Sequence, residues 1–264
     1  MPRTTGLSCP VTKPEIIICR DAGELARRAA EQFVALAGAA IARAGRFAVA
    51  LSGGSTPRAL YELLGSAEYR DRVDWSRVHL FWGDERCVPP DHAESNFRMV
   101  QETLPAQVQI PPENIHRMMG EKEPAEAAAA YERELRQFFA LAPGQRPRFE
   151  LILLGLGEDG HTASLFPGTA ALDETDRWVA AVYVGKLQSY RLTLTLPVIN
   201  AAAQISFLVA GQEKSAIVRK LFGTDSDCSK FPAGMVRPVS GHVTWFITQD
   251  AAAGLSLHRA GRSQ

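Results

Sequence analysis

A histidine in a glycine-rich loop is the residue of this sequence best suited to moving a proton. His161 lies within Gly155–Pro167 (GLGEDGHTASLFP), which overlaps the end of the apolar run Glu150–Gly155 (ELILLG). An imidazole exchanges a proton near neutral pH, so it can act as a general base toward water. Asp159, two residues earlier, or Asp84 could orient the ring through a hydrogen bond. A lone histidine in a loop is ordinarily a structural hydrogen bonder, and that interpretation is kept for the other five, His79, His92, His116, His242 and His258.

The same segment contains a formal GxGxxG pattern, which in other proteins binds a dinucleotide. Pro167 follows the third glycine by only seven residues, so the long crossover helix of a dinucleotide-binding unit has no room. The next apolar run, Trp178–Val184, carries no acidic residue at its end to hold a ribose. The dinucleotide interpretation is therefore rejected, and we expect no cofactor.

A second glycine-rich segment, Ser52–Pro57 (SGGSTP), lies between an apolar run and a helical pattern. Its two glycines let backbone N–H groups converge on a ligand, and the N-terminus of a helix favours an anion. Ser55 or Thr56 is placed to cap this helix, with Pro57 in its first turn. The segment predicts a phosphate-binding loop, with a tight turn that binds nothing as the alternative. The predicted ligands are Ser52, Gly53, Gly54, Ser55 and Thr56.

Three adjacent charges, Asp84, Glu85 and Arg86, follow the third apolar run in the segment FWGDER. Such a group presents both a carboxylate and a guanidinium fork to a polar substrate. A solvated turn held by ion pairs is equally consistent with these residues taken alone.

Three further cations stand near predicted strand ends. Lys186 and Arg191 precede the strand Leu192–Thr195, and Lys214 falls in the first turn of a predicted helix. A cation at a helix N-terminus opposes the helix dipole, which makes sense if an anion binds nearby. Chance placement on the surface is the alternative.

The composition is that of an ordinary globular protein. The 264 residues contain 29 Lys and Arg against 29 Asp and Glu, so no net charge draws the chain toward nucleic acid or an anionic membrane surface. The four cysteines form no CxxC pair, and HExxH is absent, so we expect no metal site. No apolar run is long enough to span a membrane, and residues 1–14 lack the apolar segment of a secretory signal. We therefore expect a cytoplasmic protein.

Short apolar runs alternate with helical patterns along the chain. The predicted strands are Glu15–Cys19, Phe47–Leu51, Val78–Trp82, Glu150–Gly155, Trp178–Val184, Leu192–Thr195, Ile205–Ala210 and Val243–Thr248. The predicted helices run from Asp21 to about Ala44, from about Pro57, over Asn96–Leu104, Pro124–Leu141 and Glu213–Phe222, and from Asp250.

This alternation predicts an α/β protein with three layers, a mostly parallel open sheet with helices on both faces. In such sheets ligands bind beyond the carboxyl ends of the strands, which is where the three motifs fall. We expect a single domain over residues 1–264, with flexible tails at 1–14 and 259–264. Monomer and homodimer both remain open.

Six segments taken together resemble one known family. They are LSGGSTP (51–57), FWGDERCVP (81–89), SN (95–96), LILLGLGEDGHTASLFPG (151–168), RLTLTLPVIN (191–200) and GQEKSAI (211–217). In this order they resemble the 6-phosphogluconolactonases, within the larger group that includes the glucosamine-6-phosphate deaminases. The deaminases carry a stretch like DGHIAFNEP where this chain has DGHTASLFP, so Thr162–Pro167 resembles the lactonases.

The resemblance implies hydrolysis of a phosphorylated sugar lactone, 6-phosphogluconolactone, in the oxidative pentose phosphate pathway. It implies His161 as the catalytic base, and the 52–56 loop, Arg86, Arg191 and Lys214 around the phosphate and polar groups of the substrate. Lys186 is carried over as well, although the prolines usual before Arg191 are missing. No nucleic acid or membrane partner is implied.

Two rival functions are kept. The first is an isomerase or deaminase acting on glucosamine 6-phosphate, with Asp84 removing a proton from carbon. The second is a non-catalytic sugar-phosphate sensor, as in some transcriptional regulators. Those regulators carry an N-terminal helix-turn-helix, whereas here the first predicted strand begins near Glu15.

Overall fold

A computed structural model describes residues 14–104, 107–142, 144–223 and 227–255, which form ten β-strands and six α-helices. The strands are β1 (Glu15–Cys19), β2 (Phe47–Leu51), β3 (Val78–Trp82), β4 (Asp84–Arg86), β5 (Ile115–His116), β6 (Leu151–Leu154), β7 (Val179–Val184), β8 (Ser189–Leu194), β9 (Gln204–Val209) and β10 (His242–Thr248). The helices are α1 (Ala22–Ala44), α2 (Ser55–Leu64), α3 (Asn96–Thr103), α4 (Pro124–Phe139), α5 (Leu196–Ile199) and α6 (Ser215–Phe222). The predicted tails, 1–14 and 259–264, lie outside the described residues apart from Pro14.

Seven strands form one sheet in the order β1-β10-β9-β6-β2-β3-β5, and all of its neighbouring pairs are parallel. Strands β2, β6 and β9 are buried along their whole length, which explains their continuous apolar sequences. Because β6, β2 and β3 are adjacent and parallel, the loops that follow them emerge side by side at one edge. The predicted parallel α/β sheet is confirmed.

A second, three-stranded sheet with the order β4-β8-β7 was not predicted. Both of its pairs are antiparallel. Trp178–Val184 and Leu192–Thr195 are strands as predicted, but the sequence pattern did not show that they pair with each other outside the parallel sheet. The four residues 185–188 that join β7 to β8 make a hairpin, whereas a parallel crossover needs a dozen or more residues.

Helices cover both faces of the seven-stranded sheet, as predicted. In β3, the ring of Phe81 packs against Phe138 of α4, with centroids 4.9 Å apart. The next side chain, Trp82, packs against Phe97 at the start of α3, with centroids 5.3 Å apart. Successive side chains of a strand point to opposite faces, so α3 and α4 lie on opposite sides of the sheet.

The predicted starts of α1, α3 and α4 are confirmed, and the predicted starts of two other helices are not. The Asp21 side chain caps α1 by accepting a 2.8 Å bond from the Glu24 backbone N–H, as predicted. Helix α6 begins at Ser215, and Lys214 belongs to the 3-10 turn before it. The expected helix from Asp250 is wrong over the described residues. Its carboxylate instead bonds the Thr248 hydroxyl and the Ala251 backbone N–H, which produces a series of turns.

Within the described part of the chain, no helix combines the length and the apolar character needed to cross a bilayer.

Candidate active site

The loops after β2, β3 and β6 surround a cavity of about 310 Å³ at the carboxyl edge of the parallel sheet. Eight of the twelve predicted site residues line it: Ser52, Gly53, Asp84, Arg86, His161, Lys186, Arg191 and Lys214. The other four do not. Asp159 is hydrogen-bonded to the His161 ring without lining the cavity itself. Gly54, Ser55 and Thr56 lie at the beginning of α2.

The His161 ring is held by Phe166 and by the backbone at Gly157, and it remains partly exposed. Its side chain is 29% exposed. One face stacks on Phe166, with ring centroids 4.1 Å apart. The ring also passes so close to the chain that a Cβ built on Gly157 would lie 1.9 Å from Nδ1. The ring therefore lines the same cavity as Ser52 and is not enclosed by apolar side chains.

Asp159 fixes the protonation pattern of this ring. Its Oδ1 lies 2.5 Å from His161 Nδ1 and also accepts the His161 backbone N–H at 3.1 Å. Burial alone would raise the pKa of Asp159, but hydrogen bonds from Lys186 and His161 outweigh it and bring this pKa down to about 2. An ionised carboxylate only accepts hydrogen bonds, so Nδ1 carries the proton and a neutral ring leaves Nε2 with a free lone pair.

Asp84 does not orient the histidine, which corrects one of our two alternatives. Its Oδ2 accepts a 2.7 Å bond from the Ser164 hydroxyl, and the residue is 8% exposed. Short strand β4 aims this carboxylate at the 162–165 turn, and Asp159 has taken the place at Nδ1.

Arg86 and Arg191 are direct partners across the antiparallel pair β4–β8. Like charges directly opposite on two strands destabilise a sheet unless an anion lies between or beside them. Burial, followed by the positive charge of Arg86, lowers the pKa of the Arg191 guanidinium. Among the described residues, no carboxylate forms a salt bridge with Arg86, Arg191 or Lys214. These three cations all line the cavity and give it a local positive charge.

Lys186 differs from these three cations. It lies at the tip of the β7–β8 hairpin, and its Nζ forms a salt bridge with Asp159 Oδ2. The same Nζ is 4.7 Å from the centroid of the Phe166 ring. Lys186 therefore contacts the groups that hold His161.

The glycine-rich loop after β2 is fixed by residues that the sequence did not single out. The buried Tyr61 hydroxyl accepts the Ser52 backbone N–H at 3.0 Å and donates to the Ser52 carbonyl at 2.9 Å. A Cβ on Gly53 would lie 1.8 Å from Asn96 Oδ1, so only glycine lets this side chain approach. The predicted cap is wrong: Gly54 is the N-cap of α2, and no side chain caps this helix.

Several further side chains line the cavity. They are Asn96, Leu156, Thr162, Ala163, Ser164, Phe166 and Leu187. Most lie inside the motifs quoted above, so their neighbourhood was predictable while their orientation was not. Tyr61 gave no signal, since a tyrosine on the buried face of a helix is an ordinary core residue. Within the described ranges, no group of three or more His, Cys, Asp or Glu side chains is arranged to hold a metal.

Comparison with known proteins places this geometry in a family. Residues 20–245 match the family described as glucosamine-6-phosphate isomerases/6-phosphogluconolactonase. The chain belongs to this family. A 6-phosphogluconolactonase of a Nostoc species is 40% identical over 93% of this chain and 99% of the relative. One of a Synechocystis species is 44% identical over 82% of this chain and 88% of the relative.

A solved structure of 6-phosphogluconolactonase from Trypanosoma cruzi also resembles the chain. It superposes with a TM-score of 0.79 at 30% identity, covering 93% of this chain and 98% of that one. The resemblance stated from the sequence is therefore confirmed.

Two side chains outside the cavity fix the backbone of the strands and turns around it. Glu150 Oε2 accepts the Ala48 backbone N–H at 3.0 Å, which ties the approach to β6 to β2. Thr248 Oγ1 accepts the Gly211 backbone N–H at 3.3 Å, just before the turn that carries Lys214. Both side chains bond the backbone, and neither residue lines the cavity.

Proposed function

We propose that this cavity hydrolyses 6-phospho-D-glucono-1,5-lactone to 6-phospho-D-gluconate, a step of the oxidative pentose phosphate pathway, with His161 as general base. One observation carries the proposal. A histidine with a free Nε2 lone pair and three cations without carboxylate partners among the described residues line the same cavity. The curated relatives named above, which are lactonases, support the same substrate.

The substrate divides between the two sides of the cavity. Its phosphate binds to Arg86, Arg191 and Lys214, with the backbone of Ser52 and Gly53 beside them. This contact, at the far end of the sugar, aligns C1 of the lactone with the His161 ring and uses remote binding energy for orientation.

Hydrolysis then needs one group that acts as a base in the first step and as an acid in the second. His161 Nε2 takes a proton from water while the water oxygen bonds to C1, and Asp159 stabilises the resulting imidazolium. The tetrahedral intermediate expels the ring oxygen, which receives the proton from Nε2. Backbone N–H groups of the glycine-rich loops stabilise the oxyanion.

Proton release from freshly generated 6-phosphogluconolactone, with and without the protein, tests the substrate directly. We expect enzyme-dependent release well above spontaneous hydrolysis. Ammonia release from glucosamine 6-phosphate, with no acceleration of lactone opening, would instead assign the isomerase or deaminase reaction. Binding of the lactone without turnover would favour a sensor.

Replacement of the base tests the mechanism. His161→Ala lowers kcat by about two to four orders of magnitude with little effect on folding, because only the proton transfer is lost. His242→Ala, at an exposed position on β10, is the matched control and keeps wild-type turnover. Wild-type kcat in the His161 variant, after subtraction of the spontaneous rate, would exclude the proposed base.

A further inference from the structure

We propose that Lys186 is a positioning residue that holds the Asp159 carboxylate against His161 and sets the pH range of the base, and that it does not bind the substrate phosphate. The inference rests on the function proposed above. It replaces the role that the family resemblance had implied for Lys186.

The contacts of Lys186 connect it to both supports of the catalytic ring. Asp159 offers Oδ1 to His161 Nδ1 and Oδ2 to Lys186 Nζ, so one carboxylate bridges the base and the cation. Phe166 stacks on the imidazole at 4.1 Å and receives the same ammonium at 4.7 Å from its ring centroid. An ammonium over an aromatic face is attracted by the ring quadrupole. Lys186 therefore restrains the ring through two neighbours.

Lys186 already forms a salt bridge with a carboxylate, unlike the three cations that we propose bind the phosphate. Arg86, Arg191 and Lys214 form no salt bridge with a carboxylate of the described residues, whereas Lys186 does. A phosphate ligand would have to share the Lys186 ammonium with the Asp159 carboxylate, whose negative charge already offsets it and repels a second anion.

The position of Lys186 explains why this residue can act on the base. The catalytic loop follows β6 of the parallel sheet, while Lys186 is carried by the β7–β8 hairpin of the small sheet. The salt bridge thus joins the two sheets across the site. Besides Asp159 and Lys186, the charged side chains that line the cavity with His161 are Asp84, Arg86, Arg191 and Lys214.

Removal of the ammonium has a defined electrostatic sign. Without it, the charge of Asp159 is no longer balanced and holds the imidazolium proton more tightly. The acidic limb of the kcat/KM profile for the lactone should move up by about 0.5–1 pH unit in Lys186→Met, and kcat should fall about three- to tenfold. Lys186→Arg should restore both, because it returns the charge.

Binding of inorganic phosphate separates the two roles. Phosphate serves as a competitive inhibitor. Its inhibition constant should change by no more than about twofold in Lys186→Met and should rise by about tenfold or more in Lys214→Met. Lys220→Met, an exposed position on α6, controls for a general change in charge. A tenfold weaker phosphate inhibition in Lys186→Met, with an unmoved pH profile, would overturn the proposal.

An NMR titration of the His161 ring gives the same comparison without substrate. We expect its midpoint to rise in Lys186→Met, and to rise much less when Asp159→Asn is already present, because the ammonium then has no carboxylate to hold it. An equal midpoint in wild type and Lys186→Met would overturn the inference. If the lactone is not hydrolysed but the midpoint moves, only the proposed function fails.

Discussion

At the residue scale, the decisive feature is how closely the His161 imidazole lies against its own loop. His161 is held by the Asp159 carboxylate, by the Phe166 ring and by the backbone at Gly157. The last contact admits no side chain, because a Cβ on Gly157 would lie 1.9 Å from Nδ1 and 2.1 Å from Cε1. A glycine that looked like part of a dinucleotide motif is therefore required by the histidine four residues later.

Gly157→Ala should displace the His161 ring and lower kcat/KM for the lactone by about two orders of magnitude, since a misplacement near 1 Å costs that much in catalysis. Steady-state kinetics together with a thermal melt separates this effect from unfolding. Gly38→Ala is the control, because it lies in α1 with no atom within 4 Å of a built Cβ. Unchanged turnover in Gly157→Ala would contradict the described position of the ring.

At the element scale, a buried carboxylate anchors the helix that delivers Asn96 to the cavity. Glu85 accepts the backbone N–H of Asn96 at 2.8 Å, that of Phe97 at 2.7 Å and that of Arg86 at 2.8 Å. Asn96 and Phe97 belong to the first turn of α3, where backbone N–H groups have no acceptor within the helix, and Arg86 lies in β4. Burial raises the pKa of Glu85, although the hydrogen bonds counteract it. The middle charge of the DER motif is thus structural.

Glu85→Ala should lower the free energy of unfolding by about 2–4 kcal/mol, because several buried N–H groups lose their acceptor. Urea denaturation monitored by tryptophan fluorescence measures the change. Glu113→Ala, at an exposed position, should leave the midpoint within experimental error. A Glu85 variant as stable as the Glu113 variant would show that water replaces the carboxylate at no cost.

The opposed arginines of β4 and β8 make a second prediction at this scale. Arg191→Met removes one of two cations that face each other, so the ligand-free protein should be no less stable than wild type. Under the proposed binding of the substrate phosphate, the same change should raise KM for the lactone about tenfold or more, because it removes one charged hydrogen bond to that phosphate. Melting curves with and without inorganic phosphate measure both effects. A variant that is still stabilised by phosphate as much as wild type would contradict this assignment.

At the scale of the whole molecule, one half-buried histidine that does not line the cavity links stability to pH. His79 Nδ1 lies 3.3 Å from His116 Nε2, and His116 Nδ1 lies 2.7 Å from Glu134 Oε1. Burial, followed by the charges of His116 and Arg46, lowers the pKa of His79 from its ordinary 6.5 to about 4. The unfolded chain therefore binds a proton at this position between pH 6.5 and 4 when the folded chain does not.

Stability should consequently fall as the pH drops through this window. Between pH 7 and 5 we expect a loss of about 1 kcal/mol, reduced from the value for full burial because solvent screens the partly exposed ring. Urea midpoints at the two pH values measure it, and His79→Gln should flatten the difference. The pKa values of Glu24 and Glu31 are lowered to about 2, so these carboxylates do not titrate between pH 7 and pH 5. An equally steep loss of stability between pH 7 and pH 5 in His79→Gln would show that another group is responsible.

The sequence by itself determined the parts of this protein that local physics encodes. Continuous apolar runs marked β2 and β6, glycines marked the loops after them, and the order of these elements implied a parallel sheet with its site at the carboxyl edge. The residues that could carry a proton or bind an anion were also visible, since their chemistry depends on type and neighbourhood. Helix α2 shows the limit, because whether Ser55 or Gly54 caps it depends on one backbone conformation.

Only the tertiary structure decided which of these residues meet. Arg86 faces Arg191, and Lys186 reaches Asp159, because β4, β7 and β8 form a separate antiparallel sheet. Such pairings join residues far apart in the chain, and no local propensity or period encodes them. The choice between Asp159 and Asp84 as partner of His161 was likewise made by the direction of one short strand, which aims Asp84 at Ser164.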